Sequence, residues 1–163
     1  MMENIKYICN YEAPFGRITI GEKNGKITDL CFNEIKASEN VILKKTDILN
    51  KAVRQLDEYF LGKRKEFDLE YDFLDSIRSE FMIKVWNELL NISYGKTVTY
   101  SYIAKKIGNK NASRAVGMAN NKNPIAIFVP CHRVIGKNGN LTGYYGGLDI
   151  KEYLLNLEKK NIN

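Results

Sequence analysis

The sequence predicts an α+β protein of two small domains, and three observations lead to this prediction. The first part of the chain carries mainly alternating apolar patterns with tight turns between them, which is typical of a small sheet. The second part carries helical periods. Regular patterning lapses near residues 72–77, and a chain of 163 residues can form two small domains. We therefore divide the chain into domains 1–75 and 76–163.

The N-terminal domain is predicted to hold short strands around one helix. Four segments of alternating apolar residues predict strands: 5–10, 17–20, 26–32 and 67–71. Asn24 and Gly25 lie between two of these segments, and an Asn-Gly pair in that place is a strong hairpin signal. Apolar residues then recur at helical spacing over residues 48–60. We expect 67–71 to be an edge strand. No motif in this domain carries chemistry.

The C-terminal domain is predicted to be mainly helical. Four segments have helical spacing: 80–90, 100–107, 111–121, and one from 149 to about 158. Ser79 and Thr99 are suitable N-caps for the first two helices, and Gly108 suits the end of the second. The second and third helices, joined by a tight turn, form a helix-turn-helix.

A small wing and a final helix complete the C-terminal prediction. Residues 134–135 and 141–142 flank a glycine-containing turn, which suggests two wing strands. On the last helix, we expect Ile150, Leu154 and Leu157 to face the core.

Composition limits the class of protein. Lys and Arg outnumber Asp and Glu by 25 to 19, giving a net charge of +6, which permits binding to a polyanion without establishing it. No apolar run reaches the roughly 18–20 residues that span a bilayer, so no membrane association is expected. Three cysteines in a chain of this size suggest a reducing cytoplasm. With one histidine and scattered cysteines we expect no metal site.

The most informative segment is Pro-Cys-His-Arg-Val at residues 130–134. An apolar run leads into it, Pro130 restricts the backbone before Cys131, and the only histidine of the chain, His132, follows directly. A cysteine is a useful nucleophile only as a thiolate, so a neighbouring imidazole that accepts the proton, with positive potential from Arg133, favours a reactive thiol. The alternative is that Cys131 is a small buried apolar residue, as most free cysteines are.

This segment resembles the active-site signature of the O6-alkylguanine-DNA alkyltransferases, and the similarity continues in register from about Phe81 to Glu158. The resemblance implies a small α/β domain with a ribonuclease H-like fold, followed by a helix-turn-helix, winged-helix-like catalytic domain. It implies direct-reversal DNA repair: the alkyl group of an O6-alkylguanine moves irreversibly onto the protein's cysteine, once per molecule and without a cofactor. O4-alkylthymine remains open as a second substrate. The DNA would be double-stranded, contacted in the minor groove with the damaged base flipped out, and the protein a monomer.

The resemblance also implies the catalytic residues. Cys131 would be the nucleophile, His132 its base, and Glu158 the carboxylate that orients the imidazole. Tyr100 would hydrogen-bond or protonate the purine as O6 departs. Asn123 would tie helix 111–121 to the active-site turn and flank the sulfur.

Substrate and DNA contacts are implied in the same way. In the loop 142–148, Tyr144 would pack on the flipped base and the Tyr145 amide would face O6. The family usually has a small residue where Tyr145 stands, so we expect a narrower pocket. Two further residues are implied for the pocket, Gly146 and Val134. The residues implied for the DNA surface are Arg114, Ala115, Thr99, Ser113 and Gly117. Arg114 would enter the duplex and replace the flipped base.

Three other functions were weighed against this one. A lesion-flagging alkyltransferase-like protein lacks the reactive cysteine, which is present here. A helix-turn-helix regulator needs base-reading polar residues, and helix 111–121 is instead rich in alanine. A cysteine hydrolase needs an oxyanion hole and a base distant in sequence, and the adjacent Cys131 and His132 supply neither.

Overall fold

The computed structural model describes residues 4–75 and 79–163. The chain divides into two compact units, Met1–Ser76 and Ile77–Asn163. Within the described residues, the first unit holds a four-stranded sheet and one long helix, and the second holds four helices and a two-stranded sheet. The predicted α+β class is therefore confirmed. None of the helices in the described ranges is long and apolar enough to cross a bilayer.

The first three predicted strands are confirmed as an antiparallel meander. They are β1 Lys6–Ala13, β2 Gly16–Lys23 and β3 Lys26–Cys31. Asn24 and Gly25 join β2 to β3 with φ angles of 54° and 80°. Two successive positive φ angles are what a two-residue type I′ hairpin turn requires, which explains why an Asn-Gly pair stands there.

One helix covers this sheet, and a fourth strand extends it. The predicted helix is confirmed as α1, Asp47–Phe60, and it buries an apolar face composed of Leu49, Ala52, Leu56 and Tyr59. The fourth strand, β4 Val41–Leu43, pairs in parallel with β1 at the edge of the sheet. Three residues carry too little alternation for such a strand to be predicted.

The edge strand predicted at residues 67–71 is wrong. Only Tyr71 pairs with the sheet, through a single bridge to Ile27. The Gln55 side chain accepts a hydrogen bond from the Asp68 N–H at 2.9 Å and donates to the Asp68 carbonyl at 3.3 Å. The backbone groups of Asp68 are therefore bound to a helix side chain, whereas the Glu70 carbonyl and the Asp72 N–H bond to Ile27.

The predicted helices of the second unit are present with small changes at their ends. They are α2 Glu80–Leu89, α3 Tyr100–Lys106, α4 Ser113–Asn121 and α5 Leu148–Lys160. Ser79 and Thr99 cap α2 and α3 as predicted, each accepting a hydrogen bond from the backbone N–H three residues further on. α4 begins two residues later than predicted because the Ala112 N–H bonds to the Asn109 carbonyl in a preceding turn.

The predicted wing hairpin is not formed. Val134–Ile135 is a strand, β6, but it pairs in parallel with β5, Val98–Thr99, which directly precedes α3. Residues 141–142 are not a strand. The Thr142 carbonyl accepts a hydrogen bond from the buried Lys151 ammonium at 2.9 Å and so is not available to a ladder. The β5–β6 pair fixes the start of α3 beside the segment that follows Cys131.

The buried face of α5 is also shifted from the predicted one. Its buried side chains are Lys151, Leu154 and Glu158, whereas Ile150 and Leu157 are only half-buried. These three buried positions are three and four residues apart, so they share one helix face. Two of the three are charged, and an apolar pattern could not identify that face. Both charged side chains belong to the site described next.

Candidate active site

Cys131 lies at the start of a 3-10 turn, Cys131–Arg133, and its side chain is 1% exposed. The Cys131 N–H donates to the Val129 carbonyl at 2.8 Å. This bond spans Pro130, whose φ of −81° and ψ of 63° form an inverse γ-turn. Cys131 therefore directly follows a tight backbone turn that is centred on Pro130.

A second γ-turn precedes the first. The Phe128 N–H donates to the Ala126 carbonyl at 2.8 Å around Ile127, which has a φ of 70°. A β-branched residue at positive φ is strained, and such a position persists only when its surroundings hold it there. Ile127 is fully buried, which supplies that constraint. The strain lies four residues before the sulfur.

Two asparagines join the end of α4 to this loop. Asn123 donates from Nδ2 to the Val129 carbonyl at 2.8 Å and accepts the Ile125 N–H at Oδ1 at 3.0 Å. Asn120 donates from Nδ2 to the Cys131 carbonyl at 3.2 Å. The position of the Cys131 turn is thus coupled to α4 by side-chain hydrogen bonds. The contribution of Asn120 was missed, because an asparagine in a helix has no distinguishing pattern in the sequence.

His132, Arg133 and Glu158 form a buried ionic cluster. His132 Nε2 lies 2.5 Å from Glu158 Oε2, and Arg133 reaches both carboxylate oxygens, at 2.7 Å from Nε and 3.1 Å from Nη2. Arg133 also donates to the Ile92 carbonyl at 2.6 Å, and the Gly95 N–H donates to Glu158 at 3.1 Å. The structure therefore brings His132 and Glu158 together. It turns Arg133 toward Glu158, so the predicted role of Arg133 beside the thiol is wrong.

The hydrogen bonds fix the tautomer of His132. Burial acts to raise the pKa of Glu158, but His132 and Arg133 outweigh it and hold that pKa well below the usual range. Burial also lowers the pKa of His132, which favours the neutral imidazole. Because an ionised carboxylate only accepts, Nε2 carries the proton and Nδ1 carries the lone pair. Among the described residues, Nδ1 is buried without a hydrogen-bond partner, and it is therefore free to act as a base.

The depressed pKa of Glu158 predicts an acid-sensitive protein. An unfolded glutamate takes up its proton near pH 4.3, while folded Glu158 stays ionised, so the unfolded state binds more protons. The stability due to Glu158 is complete above that pH and is lost as pH falls further. Urea unfolding at pH 3 to 6 should show this loss, and Glu158→Gln should flatten it. An unchanged slope in that variant would contradict the pairing.

The thiol itself is not ionised at rest. Burial raises the pKa of Cys131, while hydrogen bonds from Asn123 and Tyr144 and the charge of Lys151 partly oppose this effect. The thiolate must therefore form when a base removes the proton during the reaction. The cation that favours the thiolate is Lys151 and not Arg133.

Lys151 is the main residue of the site that the sequence did not indicate. It is fully buried on α5, and its ammonium donates to the carbonyls of Val134 at 2.7 Å and Thr142 at 2.9 Å. Burial lowers its pKa to about 8. A signal was present in the spacing, because Lys151 precedes Leu154 and Glu158 by three and seven residues on one helix face. Because lysine is usually exposed, this spacing alone does not indicate that Lys151 is buried.

Three of the four predicted substrate residues lie in the loop before α5, and the fourth, Val134, lies on β6. Tyr144 is buried at 8% exposure, whereas Tyr145 and Gly146 are half-buried, and the two tyrosine rings lie 6.5 Å apart. Val134 is fully buried on β6, with its carbonyl bound to Lys151. Of these four, Tyr144 is the residue that acts on the thiol, because its side chain partly opposes the rise in the pKa of Cys131.

The predicted DNA-contacting residues lie on or near α4. Arg114 and Ala115 are exposed, and Ser113 is half-buried. Gly117 faces the ring of Tyr100: a Cβ there would lie 3.7 Å from the ring, in ordinary contact. Thr99 is the N-cap of α3, whereas the other four residues lie on α4. The exposed face of α4 therefore carries Arg114 and Ala115 together with Met118, which is 62% exposed.

No group of three or more His, Cys, Asp or Glu side chains in the described part of the chain could hold a metal ion. The polar side chains near Cys131 instead bind mainly protein groups, as Asn120, Asn123 and Lys151 do by donating to backbone carbonyls. The donors and acceptors of this site suit an acid–base reaction at sulfur.

The fold and the site together define a two-domain, cysteine-based group-transfer protein whose helix-turn-helix adjoins the nucleophile. Two family models match the chain. A model described as the 6-O-methylguanine DNA methyltransferase ribonuclease-like domain matches residues 6–73, and that family's DNA binding domain matches residues 80–160. The chain belongs to the 6-O-methylguanine DNA methyltransferase family.

Individual relatives agree with this assignment along nearly the whole chain. The methylated-DNA–protein-cysteine methyltransferase of Methanosarcina acetivorans is 48% identical over 155 residues, covering 93% of this chain and 97% of the relative. The constitutive enzyme of that name from Bacillus subtilis is 42% identical over 162 residues, covering 95% and 96%. A crystal structure of Mycobacterium tuberculosis OGT in complex with DNA matches with a TM-score of 0.86 at 42% identity, covering 95% of this chain and 94% of that one.

Proposed function

We propose that this protein repairs DNA by moving the alkyl group of an O6-alkylguanine onto Cys131. The observation that carries the proposal is the buried Cys131-His132 pair, in which Glu158 holds the imidazole with its basic nitrogen unoccupied. The family membership and the DNA complex of a 42%-identical relative support DNA as the substrate. The C-terminal domain, residues 76–163, would carry the reaction, and residues 1–75 would support it.

The reaction can be written with each proton assigned. Nδ1 of His132 accepts the thiol proton, directly or through a water, and Glu158 stabilises the resulting imidazolium. The sulfur then attacks the alkyl carbon as the bond from that carbon to O6 breaks. Tyr100 hydrogen-bonds or protonates the purine, which takes the electron pair. The proton released by Cys131 passes from His132 through solvent to the purine or to the Tyr100 oxygen, so that both residues return to their neutral forms. The products are guanine and a Cys131 thioether. The S–C bond of a thioether is not broken at neutral pH, so each molecule reacts once.

A buried sulfur requires that the base come to it. In a duplex the alkyl carbon lies within the base stack, so the nucleotide must be flipped out. The exposed face of α4 carries Arg114 beside Ala115 and Met118, and a cation with small and apolar neighbours suits contact with the minor groove. Tyr144 would then pack on the base, while Tyr145 and Gly146 line its pocket, with Val134 behind. Ala115, Ser113, Gly117 and Thr99 would contact the DNA. We propose that the protein is a monomer and acts in the reducing cytoplasm, in keeping with its three free cysteines.

Arg114→Ala should separate DNA engagement from chemistry. If Arg114 fills the space left by the flipped base, its loss should slow repair of a duplex lesion about 10-fold or more, because an interaction with DNA worth more than 1.4 kcal/mol is removed. Free O6-benzylguanine, which needs no flipping, should react within about twofold of the wild-type rate. Single-turnover rates on both substrates measure this.

Arg54→Ala is the matched control for Arg114→Ala. Arg54 is an exposed arginine of the other unit, so this variant makes the same change in charge outside the unit that contains α4. It should leave both rates unchanged. Equal losses on both substrates for Arg114→Ala would contradict the proposed intercalation.

The experiment that tests the proposed function is mass analysis after incubation with a duplex containing one O6-methylguanine. We expect one added methyl group per protein, on the peptide that contains Cys131, and no change with an undamaged duplex. Tight binding without a mass change would indicate a lesion-flagging protein. Neither binding nor a mass change would reject the proposed function.

A further inference from the structure

The hydroxyl groups of Tyr100 and Thr142 lie 2.8 Å apart, and this contact joins two parts of the site that are distant in sequence. Tyr100 begins α3, and Thr142 begins the loop that carries Tyr144. We propose that Thr142 is a positioning residue for Tyr100: its hydroxyl donates to the Tyr100 oxygen and so directs the phenol proton toward the flipped base. The inference rests on the proposed role of Tyr100 in the proposed function.

The backbone of Tyr100 is fixed relative to the nucleophile. Tyr100 directly follows β5, and β5 pairs with β6, which directly follows the Cys131–Arg133 turn. One side of the ring lies against α4, where Gly117 leaves it room. Backbone and ring are thus constrained, while the phenol hydroxyl can still rotate about its C–O bond. Its orientation depends on the partner it meets.

Thr142 is held rigidly enough to be that partner. Its carbonyl accepts a hydrogen bond from Lys151 at 2.9 Å, and the same ammonium binds the carbonyl of Val134 on β6. Its methyl group packs against Gly136, where an added Cβ would lie 3.5 Å from Thr142 Cγ2. With the methyl group and the carbonyl both placed, the hydroxyl is left pointing toward Tyr100. Lys151 therefore positions Thr142, and Thr142 positions Tyr100.

Which of the two hydroxyl groups donates this hydrogen bond matters for the reaction. A phenol has one proton, and Tyr100 can give it to the purine only when its oxygen is not donating to Thr142. When the Thr142 hydroxyl is the donor, the phenol proton is free to face the base. The same donor stabilises the negative charge that develops on the Tyr100 oxygen as its proton leaves. Thr142 is exposed, so its contact with Tyr100 lies at the surface of the protein.

A set of four variants tests the inference: Thr142→Val, Thr142→Ser, Tyr100→Phe and the double variant of Thr142→Val with Tyr100→Phe. Single-turnover methyl transfer from a duplex containing O6-methylguanine is measured for each variant by protein mass, and DNA affinity by fluorescence anisotropy. Thr142→Val removes the hydroxyl with little change in shape. It should slow transfer about 5- to 10-fold, the usual effect of one hydrogen bond, at unchanged DNA affinity.

The other variants distinguish positioning of Tyr100 from a general effect on the loop. Thr142→Ser retains the hydroxyl and should restore the rate to within about threefold of wild type. In the Tyr100→Phe background, which is itself slow, adding Thr142→Val should cause no further loss. Equal unfolding midpoints of Thr142→Val and the wild type show that the fold is intact.

Two results would overturn the inference while leaving the proposed function standing. In the first, the wild type transfers methyl and Thr142→Val does so at the same rate. In the second, Thr142→Val slows transfer equally with and without the Tyr100 hydroxyl, so that Thr142 acts on the loop and not through Tyr100. If the wild type itself gains no methyl group, the proposed function fails and the inference fails with it.

Discussion

Replacing Cys131 by serine should abolish alkyl transfer while leaving DNA binding intact. The substitution keeps the shape of a side chain that is 1% exposed, so packing changes little. An alcohol is far less acidic than a thiol, and neutral His132 cannot deprotonate it to a useful extent. Loss of a nucleophile typically lowers a rate by several orders of magnitude, and we expect a decrease of at least about 1,000-fold. Intact mass after incubation with methylated duplex measures it.

The chain offers a matched control for this experiment. Cys31 is a free cysteine on β3, in the other unit, and its sulfur lies 3.2 Å from the carbonyl of Asn33. Cys31→Ser should therefore react at the wild-type rate. Methyl uptake by Cys131→Ser at any residue would show that the nucleophile is assigned wrongly.

Replacing Glu158 by glutamine should reduce both stability and transfer. The carboxylate is fully buried and pairs with His132 and with two of the three nitrogens of Arg133, Nε and Nη2. Glutamine has nearly the same shape but no charge, so Arg133 is left as a buried cation without a counterion. Breaking a buried pair in this way typically costs about 3–5 kcal/mol. Urea unfolding at pH 7 measures the loss.

The effect of Glu158→Gln on the reaction follows from the same contacts. Without the carboxylate, the imidazolium that forms when His132 accepts the thiol proton loses its stabilising charge. General-base assistance contributes about 100- to 10,000-fold to a rate, and we expect a decrease of about 100-fold in the fraction that remains folded.

Glu152→Gln on the same helix is the control for Glu158→Gln. Glu152 is exposed, so its stability should change by less than about 0.5 kcal/mol and its rate should not change. Wild-type stability in Glu158→Gln would show that the buried cluster does not have the charges assigned to it.

The parts of the fold that could be predicted from sequence are those set by local chemistry. The Asn24-Gly25 turn depends on the φ angles of its own residues, and the caps at Ser79 and Thr99 depend on atoms three residues away. Cys131 and His132 are adjacent in sequence, so their proximity required no knowledge of the fold. Glu158 was located from the register of the family motif alone.

The parts that could not be predicted depend on contacts between distant segments. β6 pairs with β5 and not with the segment after the turn, where the Thr142 carbonyl instead binds Lys151 on α5. Arg133 follows the Cys131-His132 pair in sequence, yet its guanidinium is turned to Glu158, 25 residues away. A charged residue gives no sign in the sequence that it is buried against a partner. Burial is decided by the fold as a whole.

The almost complete enclosure of the Cys131 sulfur bears on how long an unused molecule lasts in a cell. A protein that reacts once is lost to any bystander electrophile or oxidant that reaches its thiol first. Such damage depends on thiolate character and on access, and Cys131 has little of either at rest, since burial both shields it and raises its pKa. Side reactions of the thiol should therefore consume few unused molecules, and active protein is lost mainly by repairing lesions.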